Sequence, residues 1–127
     1  MIPEETFGTY KAVEKDSDSE FFNEFELKIF RVKDEIKFIL IMTTNGNFGT
    51  IGKDWLGKGI YRNDHLALII ETEIDWTYLN EDHEKSIYER EKHESLPIEI
   101  YTDQGIAVVY HKSIDNFIEL KKVEDSE

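Results

Sequence analysis

Hydrophobic residues recur at every second position along most of this chain, and that spacing constrains the fold more than any other feature. The clearest stretch is residues 65–76, HLALIIETEIDW. In an extended strand its apolar residues would share one face, namely Leu66, Leu68, Ile70, Ile74 and Trp76. Its acids would share the other, namely Glu71, Glu73 and Asp75. Because side chains alternate across a strand with a period of two, the pattern predicts β-structure.

The same pattern predicts a mainly β fold of seven or eight strands. The segments are residues 7–15, 25–29, 36–44, 56–62, 65–76, 98–102, 106–111 and 117–123. Short turn signals such as Asn45-Gly46 and Asn63-Asp64 separate neighbours and indicate an antiparallel meander. We expect the glycines of residues 47–54 to lie in tight turns. Since closure removes exposed strand edges, we expect one domain, residues 1–127, that forms a small barrel or a flattened barrel.

The polar block at residues 80–94, NEDHEKSIYEREKHE, leaves three conformations open. Acid-before-base pairs four residues apart, Glu81 with Lys85 and Glu89 with His93, favour one short helix near residues 80–95. Against the helix, Ile87 and Tyr88 are the only apolar residues of the block, so it has no stripe to pack. A solvated pair of strands or a surface loop would also accommodate this composition.

Charge and composition exclude several classes of function. The chain has 28 acidic against 15 basic residues, a net charge of −13, which repels nucleic acid and anionic lipid and attracts basic partners. It contains no cysteine, which fits a reducing cytoplasm. No apolar run approaches the roughly 18 residues that cross a membrane, and MIPEETFG is unlike a signal peptide. We therefore expect a cytoplasmic protein that binds neither nucleic acid nor membrane.

No catalytic or metal-binding motif is present in the sequence. The four histidines, at positions 65, 83, 93 and 111, are scattered, and His83-Glu84 lacks the second histidine of HExxH. No Gly-x-Ser-x-Gly motif occurs. We therefore expect a non-enzymatic protein without catalytic residues, metal or cofactor.

Gly8-Thr9-Tyr10, followed by a meander, resembles the start of a calycin barrel, the superfamily of lipocalins and fatty-acid-binding proteins. In that superfamily a Gly-x-Trp opens the first strand, and a basic residue near the last strand packs over the ring. Here Tyr10 stands in place of the tryptophan, and Lys121 or Lys122 in place of the arginine. The resemblance implies a barrel and, at most, an interior cavity.

Two hypotheses of function follow. The first is an acidic inhibitor, such as an immunity protein, that masks a basic partner such as a nuclease toxin. Its contacts would come from the acidic block and the aromatic residues around it: Asp75, Trp76, Tyr78, Glu81, Asp82, Glu84, Tyr88, Glu89, Glu91 and Glu94.

The second hypothesis is a carrier of small apolar ligands of the calycin type. Its cavity would be lined by inward residues, namely Phe38, Leu40, Leu68, Ile70, Ile100 and Val108. Oligomeric state stays open between monomer and dimer, because residues 38–42, FILIM, are apolar on both faces of a strand.

Overall fold

A computed structural model of the chain shows one antiparallel sheet of nine strands. The structure describes residues 2–15, 22–46, 49–79, 84–111 and 116–123, and a short 3-10 helix, Glu4–Thr6, precedes the sheet. The strands are β1 Gly8–Lys15, β2 Phe22–Val32, β3 Glu35–Gly46, β4 Gly49–Arg62, β5 His65–Leu79, β6 Glu84–Leu96, β7 Ile98–Tyr101, β8 Ile106–His111 and β9 Asn116–Val123. The predicted antiparallel β fold is confirmed, with nine strands in place of seven or eight. No helix in the described ranges is long and apolar enough to cross a membrane.

The sheet curls so that its two edge strands approach each other. The order is β6-β5-β4-β3-β2-β1-β9-β8-β7, so β6 and β7 lie at opposite ends although only Pro97 separates them in sequence. Residues of β5 lie near residues of β7, and residues of β6 lie near residues of β8. The backbone N–H of Tyr110 donates to the Pro97 carbonyl at 3.0 Å. The result is a curled half-barrel in which β6 and β7 are edge strands.

The described part of the polar block is a strand, so the helix near residues 80–95 is wrong for residues 84–95. β6 pairs with β5 from Leu96 opposite Leu68 to Glu84 opposite Leu79. A helix over these residues would have lacked an apolar stripe to pack. The sheet instead supplies backbone hydrogen bonds along β6, and its inward charged side chains find partners on β5. Because both faces of β6 carry charged side chains, its sequence lacks the apolar–polar alternation by which a strand is recognised.

The concave face of the sheet encloses the hydrophobic core. Trp55 and Tyr10 are its two largest fully buried side chains. The other members are Ile2, Phe25, Leu27, Ile29, Phe38, Leu40, Leu66, Leu68, Ile70, Leu96, Ile98, Ala107, Val109, Ile118 and Leu120. Four of the residues expected to line a ligand cavity are in this list, and Ile100 packs against it. Val108 lies between the buried Ala107 and Val109 and therefore faces outward.

A register shift in β5 overturns the predicted faces of this strand. The pairing with β4 shifts between Ile70 and Thr72, which leaves one extra residue in β5. Beyond this bulge the inward positions change from even to odd numbers. Glu73 is therefore buried, at 3% exposure, whereas Ile74 and Trp76 face outward. The expectation that all apolar residues of 65–76 share one face is wrong, because simple alternation cannot anticipate a bulge.

The glycines of β4 permit close approaches within the sheet. The expectation that they lie in tight turns is wrong for Gly52, which is inside β4. A Cβ at Gly57 would lie 1.8 Å from the backbone oxygen of Ile69, next to the bulge. A side chain at this position would therefore displace backbone atoms.

Tyr10 of β1 and Lys122 of β9 lie opposite each other where the first and last strands pair. Lys122 Nζ lies 5.9 Å from the centroid of the Tyr10 ring and donates to the Glu5 carbonyl at 2.5 Å. The Tyr10 hydroxyl donates to the Thr6 carbonyl at 2.8 Å. Burial of the ring raises the pKa of Tyr10 to about 12. Membership of the superfamily stays a prediction.

Candidate functional site

A buried carboxylate, Glu73, organises the charged side chains on the inner face of β4, β5 and β6. The register places Trp55, Glu73 and Arg90 side by side across the three strands. The Glu73 carboxylate accepts from Trp55 Nε1–H at 2.9 Å and from Arg90 Nε–H at 2.5 Å. Lys53 Nζ and Lys92 Nζ lie 3.6 and 3.5 Å from its oxygens. One buried acid is therefore surrounded by three cations.

These partners determine the ionisation of Glu73. Burial of the carboxylate is the largest single effect and would raise its pKa. The hydrogen bonds from Trp55 and Arg90, together with the charges of Lys53 and Lys92, act in the opposite direction. Their combined effect prevails, and the pKa of Glu73 lies below its ordinary value. Glu73 is thus an ionised structural carboxylate and not a proton donor at neutral pH.

Two further carboxylates neutralise the remaining positive charge. Asp75 lies 3.6 Å from Lys53 and is hydrogen-bonded to Arg90 Nη2. Glu94 lies 4.0 Å from Lys92 and 3.2 Å from Nε2 of His111 on β8, which connects β6 to β8 where the ends of the sheet meet.

We call Lys53, Glu73, Asp75, Arg90, Lys92 and Glu94 the inner charge cluster. Its three cations and three carboxylates balance each other, so these cations do little to offset the acidity of the outer surface.

The outer face of the same strands carries an apolar surface. Ile41, Asp54, Ile74 and Glu89 form one row across β3 to β6, and Gly52, Trp76 and Ile87 form the next. We call Ile41, Ile74, Trp76 and Ile87 the outer patch; with Asp54 they line an open depression of about 370 Å³.

Trp76 is fixed in the outer patch by its neighbours on β4. The indole covers Gly52, where a Cβ would lie 2.2 Å from ring carbons of Trp76. Its Nε1–H donates to Asp54 Oδ1 at 3.1 Å. The aromatic ring is thus held flat against the sheet and needs little ordering before it contacts a partner.

Acidic side chains border the outer patch on β6. Glu89 and Glu91 are exposed and have no ion pair with any residue in the described ranges. Ile87 lies between Trp76 and the edge of the sheet, and it is 62% exposed. An exposed aliphatic side chain beside exposed carboxylates is an arrangement suited to binding a surface that is both apolar and cationic.

The sheet divides the predicted contact residues between its two faces. Trp76, Tyr78, Glu89 and Glu91 are on the outer face, whereas Asp75, Tyr88 and Glu94 are on the inner face. The backbone of Glu84 belongs to β6, and Glu81 and Asp82 lie outside the described residues. The seven residues of this set whose side chains are described therefore divide between the two faces, and their role as partner contacts stays a prediction.

Sequence reasoning missed most of the apolar part of this surface. Ile74 and Ile87 join Trp76 only because the bulge turns Ile74 outward and because β6 is a strand. The sequence did indicate an apolar outer surface at Ile41. Residues 38–42 are apolar at every position, so one face of β3 had to carry apolar side chains outside the core.

No metal centre is formed by the part of the chain that the structure describes. Nowhere in those residues do three histidine, aspartate or glutamate side chains converge as ligands. The acids of the inner charge cluster bond to cationic side chains instead, so their arrangement is one of internal neutralisation.

Comparison of the chain with protein-family models, curated proteins and solved structures gave no match. The function has to be argued from the surface itself.

Proposed function

We propose that this protein is a non-enzymatic acidic binding protein that masks a basic partner, in the manner of an immunity protein that inhibits a nuclease toxin. The observation that carries the proposal is the outer patch with the exposed carboxylates of Glu89 and Glu91 beside it. Basic enzymes that act on nucleic acid expose cationic and apolar groups to bind it. A preorganised acidic surface competes for the same groups.

The charge distribution supports a cationic partner. Three of the 15 basic residues, Lys53, Arg90 and Lys92, face inward and pair with inner carboxylates. The net charge of −13 is therefore expressed mainly at the outer surface. Such a field accelerates encounter with a positively charged protein and weakens when salt screens it.

The outer patch supports a protein partner over a small ion. Ile87 and Trp76 provide apolar area that would be covered on binding, and interfaces commonly place such anchors at the centre with charges around them. The acids then select the partner by charge, whereas the patch supplies the hydrophobic contact.

The proposal is tested on the cationic product of a neighbouring gene, purified and titrated with this protein by calorimetry. We expect association that weakens at least tenfold between about 50 and about 300 mM NaCl. Glu89→Gln combined with Glu91→Gln should reduce affinity in low salt. The control is Glu119→Gln combined with Asp103→Asn, which changes the net charge equally at exposed positions of β9 and the β7–β8 turn. Absence of binding at low salt, or equal loss in both double variants, would refute the proposal.

A further inference from the structure

β6 is a long edge strand whose second side pairs with no described strand. It is the last strand of the sheet and forms a ladder with β5 alone. Near its end, Glu94 approaches β8 through His111. From Ser86 to Glu91 the pairing with β5 is regular, and no proline interrupts it.

The backbone groups on the free side of β6 can be identified from the register. In an antiparallel ladder the N–H and C=O of successive residues point alternately to the two neighbouring strands. The Tyr110 N–H bonds to Pro97, so the next pair, Ile98 with Val109, exchanges no backbone bonds. The same alternation of bonded and non-bonded pairs can be traced from β8 through each successive strand pair to β5 and β6. It makes Glu73 and Arg90 a pair that exchanges backbone hydrogen bonds.

The residues that alternate with Arg90 therefore present their backbone groups to the open edge. These are Ile87, Glu89 and Glu91, whose side chains are on the outer face. The edge thus presents a row of backbone donors and acceptors that no described strand pairs, beside one aliphatic and two acidic side chains. Unpaired edges of this kind are templates for the addition of another strand.

We propose that the free edge of β6 binds an extended cationic segment of the partner as an additional antiparallel strand. This inference rests on the proposed function and specifies how the partner is held. In an antiparallel pair, directly opposed residues have side chains on the same face. The segment would place basic residues opposite Glu89 and Glu91 and an apolar residue opposite Ile87.

The charges of the edge argue against a second copy of this chain as the occupant. Antiparallel pairing of two β6 strands about residue 90 would set Glu89 of each copy against Glu91 of the other, and pairing about residue 89 would set the two Glu89 side chains against each other. Like charges directly opposed across a ladder are destabilising. The same row of acids is favourable beside lysine or arginine, so charge complementarity selects a cationic strand.

The probe is a labelled synthetic peptide of about eight residues, a typical strand length, in which two lysines and then a valine alternate with threonines. Its binding to the full chain is measured by fluorescence anisotropy in about 50 mM NaCl. Two derivatives carry backbone N-methyl groups, one on the lysines and one on the residues between them. Their charge and composition are otherwise the same.

Strand addition predicts different affinities for the two derivatives. The backbone N–H groups of the lysines would face β6, because the lysine side chains lie beside the outer acids. Methylation of these nitrogens should weaken binding about tenfold or more, whereas methylation of the alternate nitrogens should leave it nearly unchanged. Equal affinity of both derivatives would overturn the inference and leave the proposed function intact, since charge alone would then hold the peptide.

Variants of the protein provide a second test. Glu89→Pro and Glu89→Gln remove the same charge, but only the proline also removes an edge N–H, and neither should break a bond to β5. We expect the proline variant to bind the peptide more weakly than the glutamine variant, with folding checked by circular dichroism. If the proline variant does not fold, the difference in affinity between the two N-methylated peptides is the test of strand addition. Absence of peptide binding where the whole partner still binds, or self-association of the free chain through β6, would also overturn the inference.

Discussion

Replacement of Glu73 should destabilise the protein in two separable steps. Glu73→Gln keeps an oxygen for the Trp55 indole N–H and removes the charge that faces Arg90. Because the Arg90 side chain is 40% exposed, water replaces part of the lost ion pair, and we expect the free energy of unfolding to fall by about 2 kcal/mol. Glu73→Ala also leaves the buried Trp55 N–H without its acceptor, so the loss should reach about 3–5 kcal/mol.

Urea unfolding followed by circular dichroism and tryptophan fluorescence measures both losses. The melting temperature should fall by roughly 4 °C for each kcal/mol in a domain of this size. The control is Glu119→Gln, an exposed acid on β9 without an ion pair to the described residues, which should change stability by less than about 0.5 kcal/mol.

The pH dependence provides an independent check on the same cause. The pKa of Glu73 is lower in the folded protein than its ordinary value of 4.5, so its carboxylate stabilises the fold above that pH. The contribution is lost as the pH falls through the folded-state pKa. The stability difference between the native chain and Glu73→Gln should therefore be complete at neutral pH and shrink in acid.

Two outcomes would refute the reasoning about Glu73. Equal losses for the glutamine and alanine variants would mean that the Trp55 hydrogen bond contributes nothing. A native advantage over Glu73→Gln that is unchanged at about pH 3 would mean that the carboxylate is not held ionised by its cationic neighbours.

Three further substitutions probe packing and burial. Gly57→Ala should cost about 3 kcal/mol or more in urea unfolding, because its Cβ would meet the Ile69 backbone oxygen, and a loss under about 1 kcal/mol would contradict the close approach. Gly52→Ala should cost less, about 1–2 kcal/mol, because the Trp76 indole can move, and it should shift tryptophan fluorescence; an unchanged spectrum would contradict the stacking. In an alkaline absorbance titration one tyrosine should ionise only near pH 12, and this titration step should be absent from the Tyr10→Phe variant. Since the folded-state pKa is raised, stability from the neutral Tyr10 ring should persist below about pH 10 and be lost as the pH rises through about 12; complete titration of all tyrosines by about pH 11 would contradict this.

Much of the architecture could be predicted because alternation and turn residues carry it. Strand β8, Ile106–His111, coincides with the predicted segment. The start of β5 at His65 also coincides, because Asn63 and Asp64 adopt positive φ angles in the turn before it. In these places local sequence and tertiary packing favour the same conformation.

The site could be predicted only in part, because two features depend on tertiary structure. The bulge after Ile70 reverses the faces of β5, and it lies opposite Gly57, where the neighbouring backbone leaves no room for a Cβ. β6 lacks the apolar alternation that is typical of a half-buried strand. Its inward positions include Arg90 and Lys92, which pair with Glu73 on the next strand. Sequence reasoning predicted acidic contacts, but it did not predict the face of the sheet on which each acid lies.

Hydrogen–deuterium exchange of the complex with the cationic product of a neighbouring gene, at low salt, tests the account most directly. We predict slower exchange of the Ile87, Glu89 and Glu91 amides when the partner is bound, with little change in β7 to β9. Protection confined to β7, β8 or β9, with the β6 edge exchanging as in the free protein, would contradict the assignment of recognition to the outer face and edge of β6.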